Sequence, residues 1–207
     1  MKKPLVYLIL FLVSGLLSAA AWAQDAVADN MLLYQRNVGG WPKQINNVRV
    51  DYTKAQTGAD RARLENDRSR KDATIDNGAT TKEIRYLVKA YQKTGNKTYL
   101  QAAENGIRYL LQMQLPNGGF PQFYPDSSSY RGQITYNDNA MISALNVLWD
   151  VAHASSGMEV VNEALKEPAK KAVAKGIDCI LNTQVVINGK PTIWCAQHDK
   201  KTLLPVN

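Results

Sequence analysis

Four stretches of the chain repeat their apolar residues with a helical period. Ile84, Leu87, Val88 and Tyr91 fall at i, i+3, i+4 and i+7. Thr80 with Glu83 fits a capping box ahead of them, and Gly95 fits the stop. Tyr99, Ala103, Ile107, Leu110 and Leu111 mark a second helix that ends near Pro116-Asn117-Gly118-Gly119. Met141, Ala144, Leu145, Leu148 and Ala152 mark a third, with Gly157 after it. Ala169, Val173, Ile177 and Ile180 mark a fourth, with Pro168 in a first turn that tolerates it. Short turns alternating with long loops make these two αα-hairpins. Val185-Val186-Ile187, Asn188-Gly189 and Thr192-Ile193-Trp194 then read as a small β-hairpin within residues 185–195.

The rest of the chain is less periodic. Residues 24–38 read as a short lead-in. Residues 51–72 hold eleven charged residues out of twenty-two, which predicts an exposed loop or a solvated helix carrying no core. A weak repeat runs through the loops. Gly39-Gly40-Trp41-Pro42-Lys43 recurs as Gly118-Gly119-Phe120-Pro121-Gln122. Asp76-Asn77-Gly78-Ala79 is echoed by Asp138-Asn139-Ala140-Met141. Hairpins repeated with the same loop chemistry predict a mainly α fold, a toroid of helices whose special loops gather at one end.

Lys2-Lys3, the apolar run from Leu5 to Leu17 and Ala21-Trp22-Ala23 have the layout of a secretory signal peptide cleaved after Ala23. The expected organisation is therefore a leader at 1–23 and one domain at 24–207, secreted or periplasmic, with no membrane association once the leader is gone. Formal charge is +7, of which two positive charges belong to Lys2 and Lys3. For an exported protein such a field suits an acidic polysaccharide or anionic envelope better than nucleic acid, or is ordinary solubility charge. Two cysteines exclude a disulfide-rich scaffold and a four-cysteine zinc site. Cys179 and Cys195 could pair, or Cys179 could be a buried thiol.

The chemistry candidates cluster in the loops. Asp76, Asn77, Asn137, Asp138 and Asn139 offer hard oxygen donors of the kind calcium takes, about six to eight per ion. The same residue types are also the preferred helix N-caps. Trp41, Phe120, Tyr124 and Tyr130 place rings in turns, either as core or as faces for a sugar. His198, in Gln197-His198-Asp199, either lines a cleft or packs. No phosphate loop, nucleophile elbow or His-Glu-x-x-His occurs.

Five ordered blocks carry a resemblance: Gly39–Lys43, Thr74–Thr81, Pro116–Pro125, Ile134–Met141 and Trp194–Asp199. Together they resemble the motifs of polysaccharide lyase family 10 pectate lyases. The resemblance implies calcium-assisted β-elimination of polygalacturonate on an incomplete (α/α) toroid, working as a monomer. It implies Asp76, Asn77 and Asp138 as the calcium end of the cleft, with Asn139 beside them. Lys43, Tyr124, Arg131 and His198 are further candidate substrate contacts. It also implies an arginine as the proton-abstracting base, in a C-terminal part beyond Asn207, so that these residues match the N-terminal portion of the family's catalytic domain. Two other readings compete: a binder of acidic polysaccharide without catalysis, and another α-toroid protein such as a glycoside hydrolase or a terpene cyclase-like fold.

Overall fold

The computed structural model describes residues 24–206, so the expected leader at 1–23 lies outside the described residues. The helices are α1 (Ala26–Tyr34), α2 (Gly58–Asn66), α3 (Thr81–Thr94), α4 (Lys97–Met113), α5 (Ala140–His153) and α6 (Lys166–Thr183). Short antiparallel ribbons join them: β1 (Gln44–Ile45) with β2 (Val48–Arg49), β3 (Ile134–Thr135) with β6 (Gln197–His198), and β4 (Val186–Ile187) with β5 (Lys190–Pro191). The hairpin of β4 and β5 turns at Asn188 and Gly189, both at positive φ, as a two-residue I′ turn requires. Among the described residues no helix is long and apolar enough to cross a membrane.

Helices α3 and α4 form one hairpin, α5 and α6 the next, and α3 and α4 both pack on α5. The core between them holds Ile84, Leu87, Tyr99, Ile107, Leu110, Met141, Ala144 and Leu148, all without solvent exposure. Helix α3 ends as expected, with Gly95 left-handed and its N–H on the Tyr91 carbonyl. Its start differs. Thr80 makes no cap bond to α3. Its hydroxyl accepts from the Trp41 N–H at 3.0 Å and donates to the Thr74 carbonyl at 2.8 Å, so it stitches two loops together. Helix α6 also differs: Ile177 is 46% exposed, and Gly176 and Cys179 take the buried face instead. A Cβ on Gly176 would come within 2.4 Å of Leu145, so the glycine sets the contact between α5 and α6.

Two segments carry more core than their sequence suggests. The lead-in contains α1, capped by Asp25, with Ala28, Met31 and Tyr34 buried. The charged segment contains α2, with a capping box between Thr57 and Asp60, and buries Leu64 completely. Asp72, at its end, receives two bonds from the buried Arg36 guanidinium, at 2.6 and 3.0 Å.

The repeat extends to individual hydrogen bonds. The Gln35 carboxamide donates to the Gly39 carbonyl at 2.7 Å and to the Ala102 carbonyl of α4 at 2.9 Å. The Gln114 carboxamide donates to Gly118 at 3.0 Å and to Ala172 of α6 at 2.8 Å. Each amide thus pins one loop to one helix. Gly39 and Gly118 have φ of 96° and 89°, and a Cβ there would stand 2.4 and 2.0 Å from the carbonyl oxygens of Asn105 and Lys175. A third copy begins at Gln184, whose carboxamide donates to the Thr192 carbonyl at 3.1 Å. The Val185 N–H bonds the Ile193 carbonyl at 2.9 Å, as Arg36 bonds Gly40 and Leu115 bonds Gly119. The β4–β5 hairpin is an insertion inside that third turn. Trp194 then stands where Trp41 and Phe120 stand, but it is 38% exposed while they are fully buried.

Candidate functional site

Each repeat carries a 3-10 turn ahead of its first helix, Asp76–Gly78 before α3 and Asn137–Asn139 before α5, and the two turns lie against each other. Their φ angles match residue by residue. Ile75 and Tyr136 have φ of −103° and −101°. Asn77 and Asp138 have φ of 52° and 50°, and Gly78 and Asn139 have 73° and 57°. Asn, Asp and Gly are the residues that accept this left-handed region. The structural repeat therefore pairs Asp76 with Asn137 and Asn77 with Asp138. The sequence comparison, which pairs Asp76 with Asp138, is one residue out of register.

Neither aspartate caps a helix. The cap positions belong to Thr80 and Asn139, and neither makes a side-chain cap bond. Asp76 is buried; its Oδ2 accepts from the Lys43 ammonium and its Oδ1 from the Asn77 amide at 3.2 Å. Asp138 is exposed and accepts only from its neighbour Asn137, at 3.0 Å, among the described residues. The second copy replaces the charged pair of Lys43 and Asp76 with two amides, Gln122 and Asn137.

Between the turns runs an open groove of about 610 Å3. Asn77 and Gly78 form one wall and Asp138 and Asn139 the other. Lys82 and Arg85 reach it from α3, Ser143 and Asn146 from α5. These four were missed in the sequence. Their signal is a polar pair three residues apart, on each helix just after the loop, beside the apolar stripe. The Arg85 guanidinium is held by Asp150 at 2.7 Å.

The model of the Pectic acid lyase family matches residues 35–207. The chain belongs to that family. Its fold also resembles a family 10 polysaccharide lyase from Cellvibrio cellulosa, with a TM-score of 0.74 and 37% identity over 86% of this chain and 52% of that one. A mutant of that lyase in complex with trigalacturonic acid matches with the same TM-score at 36% identity. The chain thus spans about half the length of the solved lyases. No curated protein matches it.

In this pectic acid lyase relative, four of the expected substrate contacts lie outside the groove. His198 has no solvent exposure; its Nε2 accepts from the Cys195 N–H at 3.2 Å, which leaves Nδ1 to donate to the Leu203 carbonyl at 2.9 Å. Arg131 pairs with Asp126 at 2.6 Å and covers the Phe123 ring at 4.9 Å. The Ser128 hydroxyl and N–H, followed by Arg131, hold the Asp126 carboxyl down at about 2. The Tyr124 ring sits edge-on to Tyr109 at 6.0 Å. Asn139 lines the groove, and Lys43 bonds Asp76, the residue before Asn77, without lining the groove itself. Cys179 and Cys195 are both free thiols, and burial pushes the Cys179 thiol up.

The donors suit a calcium ion in part. Asp138 and Asn77 present a carboxylate and an amide to the groove, while the Asp76 carboxylate is buried and taken by Lys43. Among the described residues no three His, Cys, Asp or Glu side chains form a metal-holding group. The remaining oxygens of a calcium shell would come from water and from a bound carboxylate ligand.

Proposed function

We propose that this chain is part of an exported pectate lyase that cleaves polygalacturonate by calcium-assisted β-elimination. The observation that carries the reading is the groove between the two tandem turns, where the acid and amides of Asp138, Asn77 and Asn139 face the cations Lys82 and Arg85. A polymer with one carboxylate per sugar needs such cations, and a hard metal held between protein and polymer needs such oxygens.

In the reaction a base takes the C5 proton, the electron pair forms the C4=C5 double bond, and the C4–O bond breaks with the leaving oxygen taking a proton. The C5 proton is weakly acidic because it lies α to a carboxylate. Calcium, when bound, neutralises that carboxylate and lowers the cost of the enolate-like charge. Asp138 and Asn77 would hold the ion, with Asp76 behind them. Lys82 and Arg85 would attract and orient the sugar carboxylates. Arg85 is held by Asp150 and Arg131 by Asp126, so neither is aimed as a free base. In this reading the base is the arginine that the family resemblance implies in the C-terminal part of the catalytic domain. The same observation favours a second reading, a calcium-dependent pectate binder.

Calorimetry with trigalacturonate and calcium, run beside an ultraviolet assay for unsaturated uronates, tests both. Calcium-strengthened binding by this chain, with product only when the rest of the catalytic domain is present, is expected. Binding without product even then would leave the binder. Absence of binding with calcium present would overturn both. Product from this chain alone would place the base within it, with Arg85 the first residue to replace. Export is tested by the mature N-terminus, expected at Gln24.

A further inference from the structure

A second cavity, of about 500 Å3, opens beside the groove, a size suited to a small ligand. Asn77 and Lys82 line both, so the two adjoin. Met31, Pro42 and Val50 give this cavity apolar walls, and the Tyr86 ring stands at its edge. Lys43, Arg49 and Lys82 line it with positive charge. Among the described residues neither Arg49 nor Lys82 forms an ion pair.

One buried acid belongs to the same lining. Glu83 is 4% exposed. Its Oε1 accepts from the Tyr52 hydroxyl at 3.0 Å, and its Oε2 has no hydrogen-bond partner. A buried carboxyl oxygen without a partner is costly to the fold, and a ligand hydroxyl would relieve that cost. Arg49 is placed by the β1–β2 hairpin, whose turn at Asn46 and Asn47 has positive φ at both residues. The second repeat has no such hairpin; Gln122 leads directly into Phe123, which bridges to Thr74. The cavity therefore belongs to one end of the groove only.

We propose that this cavity is a distal sugar subsite, holding one uronate of a polymer whose next residues lie in the groove between Asn77 and Asp138. Arg49 and Lys82 take its carboxylate, the apolar wall and Tyr86 cover the ring, and Glu83 Oε2 takes a hydroxyl. The proposal rests on the pectate reading above and adds a determinant of chain length to it. A short oligomer fills the groove alone, whereas a longer one reaches Arg49.

The test is calorimetry of the full chain with trigalacturonate and with pentagalacturonate in calcium. Arg49→Gln should weaken the pentamer about tenfold or more, the scale of one charged hydrogen bond, and leave the trimer within about twofold. Lys93→Gln, on the exposed side of α3, should move neither and so controls for overall charge. An unchanged pentamer affinity, or an equal loss for both oligomers, would overturn the subsite. Failure of the wild-type chain to bind either oligomer would instead overturn the pectate reading and take the subsite with it.

Discussion

Asn77 and Asp138 hold the same position in two consecutive copies of one turn, at φ 52° and 50°, and line opposite walls of one groove. The backbone there demands a residue that accepts the left-handed region, and the chemistry asks for oxygen donors. Asn and Asp satisfy both demands. That separates fold from function at these two sites.

Asp138→Asn should keep the backbone, since Asn tolerates the same φ, but it removes the groove's exposed carboxylate. The melting temperature should stay within error while calcium and oligogalacturonate binding fall at least tenfold. Asp138→Ala should lose binding and also about 1 kcal/mol of stability, because alanine is strained at positive φ. Thermal melts and calorimetry on both variants check this. Unchanged binding in Asp138→Asn would remove the residue from the site.

Lys43 neutralises a carboxylate that is almost fully buried. Lys43→Met should leave Asp76 charged and unpaired, at a cost of about 1–3 kcal/mol, reduced from a fully buried pair because the lysine is 31% exposed. A divalent cation could then occupy the vacated place. Calcium should raise the melting temperature of Lys43→Met more than that of wild type. Equal shifts would mean that Asp76 plays no part in holding the ion.

The four long helices are legible because their apolar stripes are wide, and Gly95 marks the stop of α3. Helix α1 is not: it spans nine residues, and part of its buried face is polar. Asn30 is buried because its amide donates to the Tyr52 and Lys54 carbonyls, at 2.8 and 3.0 Å, and a distant loop supplies those partners. The register of the tandem turns was hidden for a related reason. Matching letters aligns Asp76 with Asp138, but the conserved features of the turn are its dihedral angles and the threonine two residues ahead of it, Thr74 in one copy and Thr135 in the other. The third copy was hidden because Thr192-Ile193 replaces two glycines and a hairpin is inserted before them.

His198 illustrates how a polar residue within a family motif can be structural. Its ring joins the Cys195 turn to the Leu203 carbonyl from a fully buried position. His198→Ala should cost about 2–4 kcal/mol through a cavity and two unpaired backbone groups. Oligogalacturonate affinity, measured well below the lowered melting temperature, should not change. A loss of affinity with intact stability would return His198 to the site.

Glu83 gives the fold a pH dependence of defined sign. Burial, opposed by weaker hydrogen bonds, raises its carboxyl above the ordinary range. The native state therefore binds this proton more tightly than the unfolded chain does. The Glu83 contribution is most favourable below the ordinary carboxyl value of about 4.3 and is lost as pH rises through the raised native value. Glu83→Gln cannot titrate, and its carbonyl can still accept from Tyr52. Its cost of burying an amide is the same at every pH. The stability of Glu83→Gln relative to wild type should thus improve between pH 4 and pH 7, read from urea unfolding of both proteins at each pH. A difference that stays flat, or that moves the other way, would show that Glu83 is held as a carboxylate by the lysines around it.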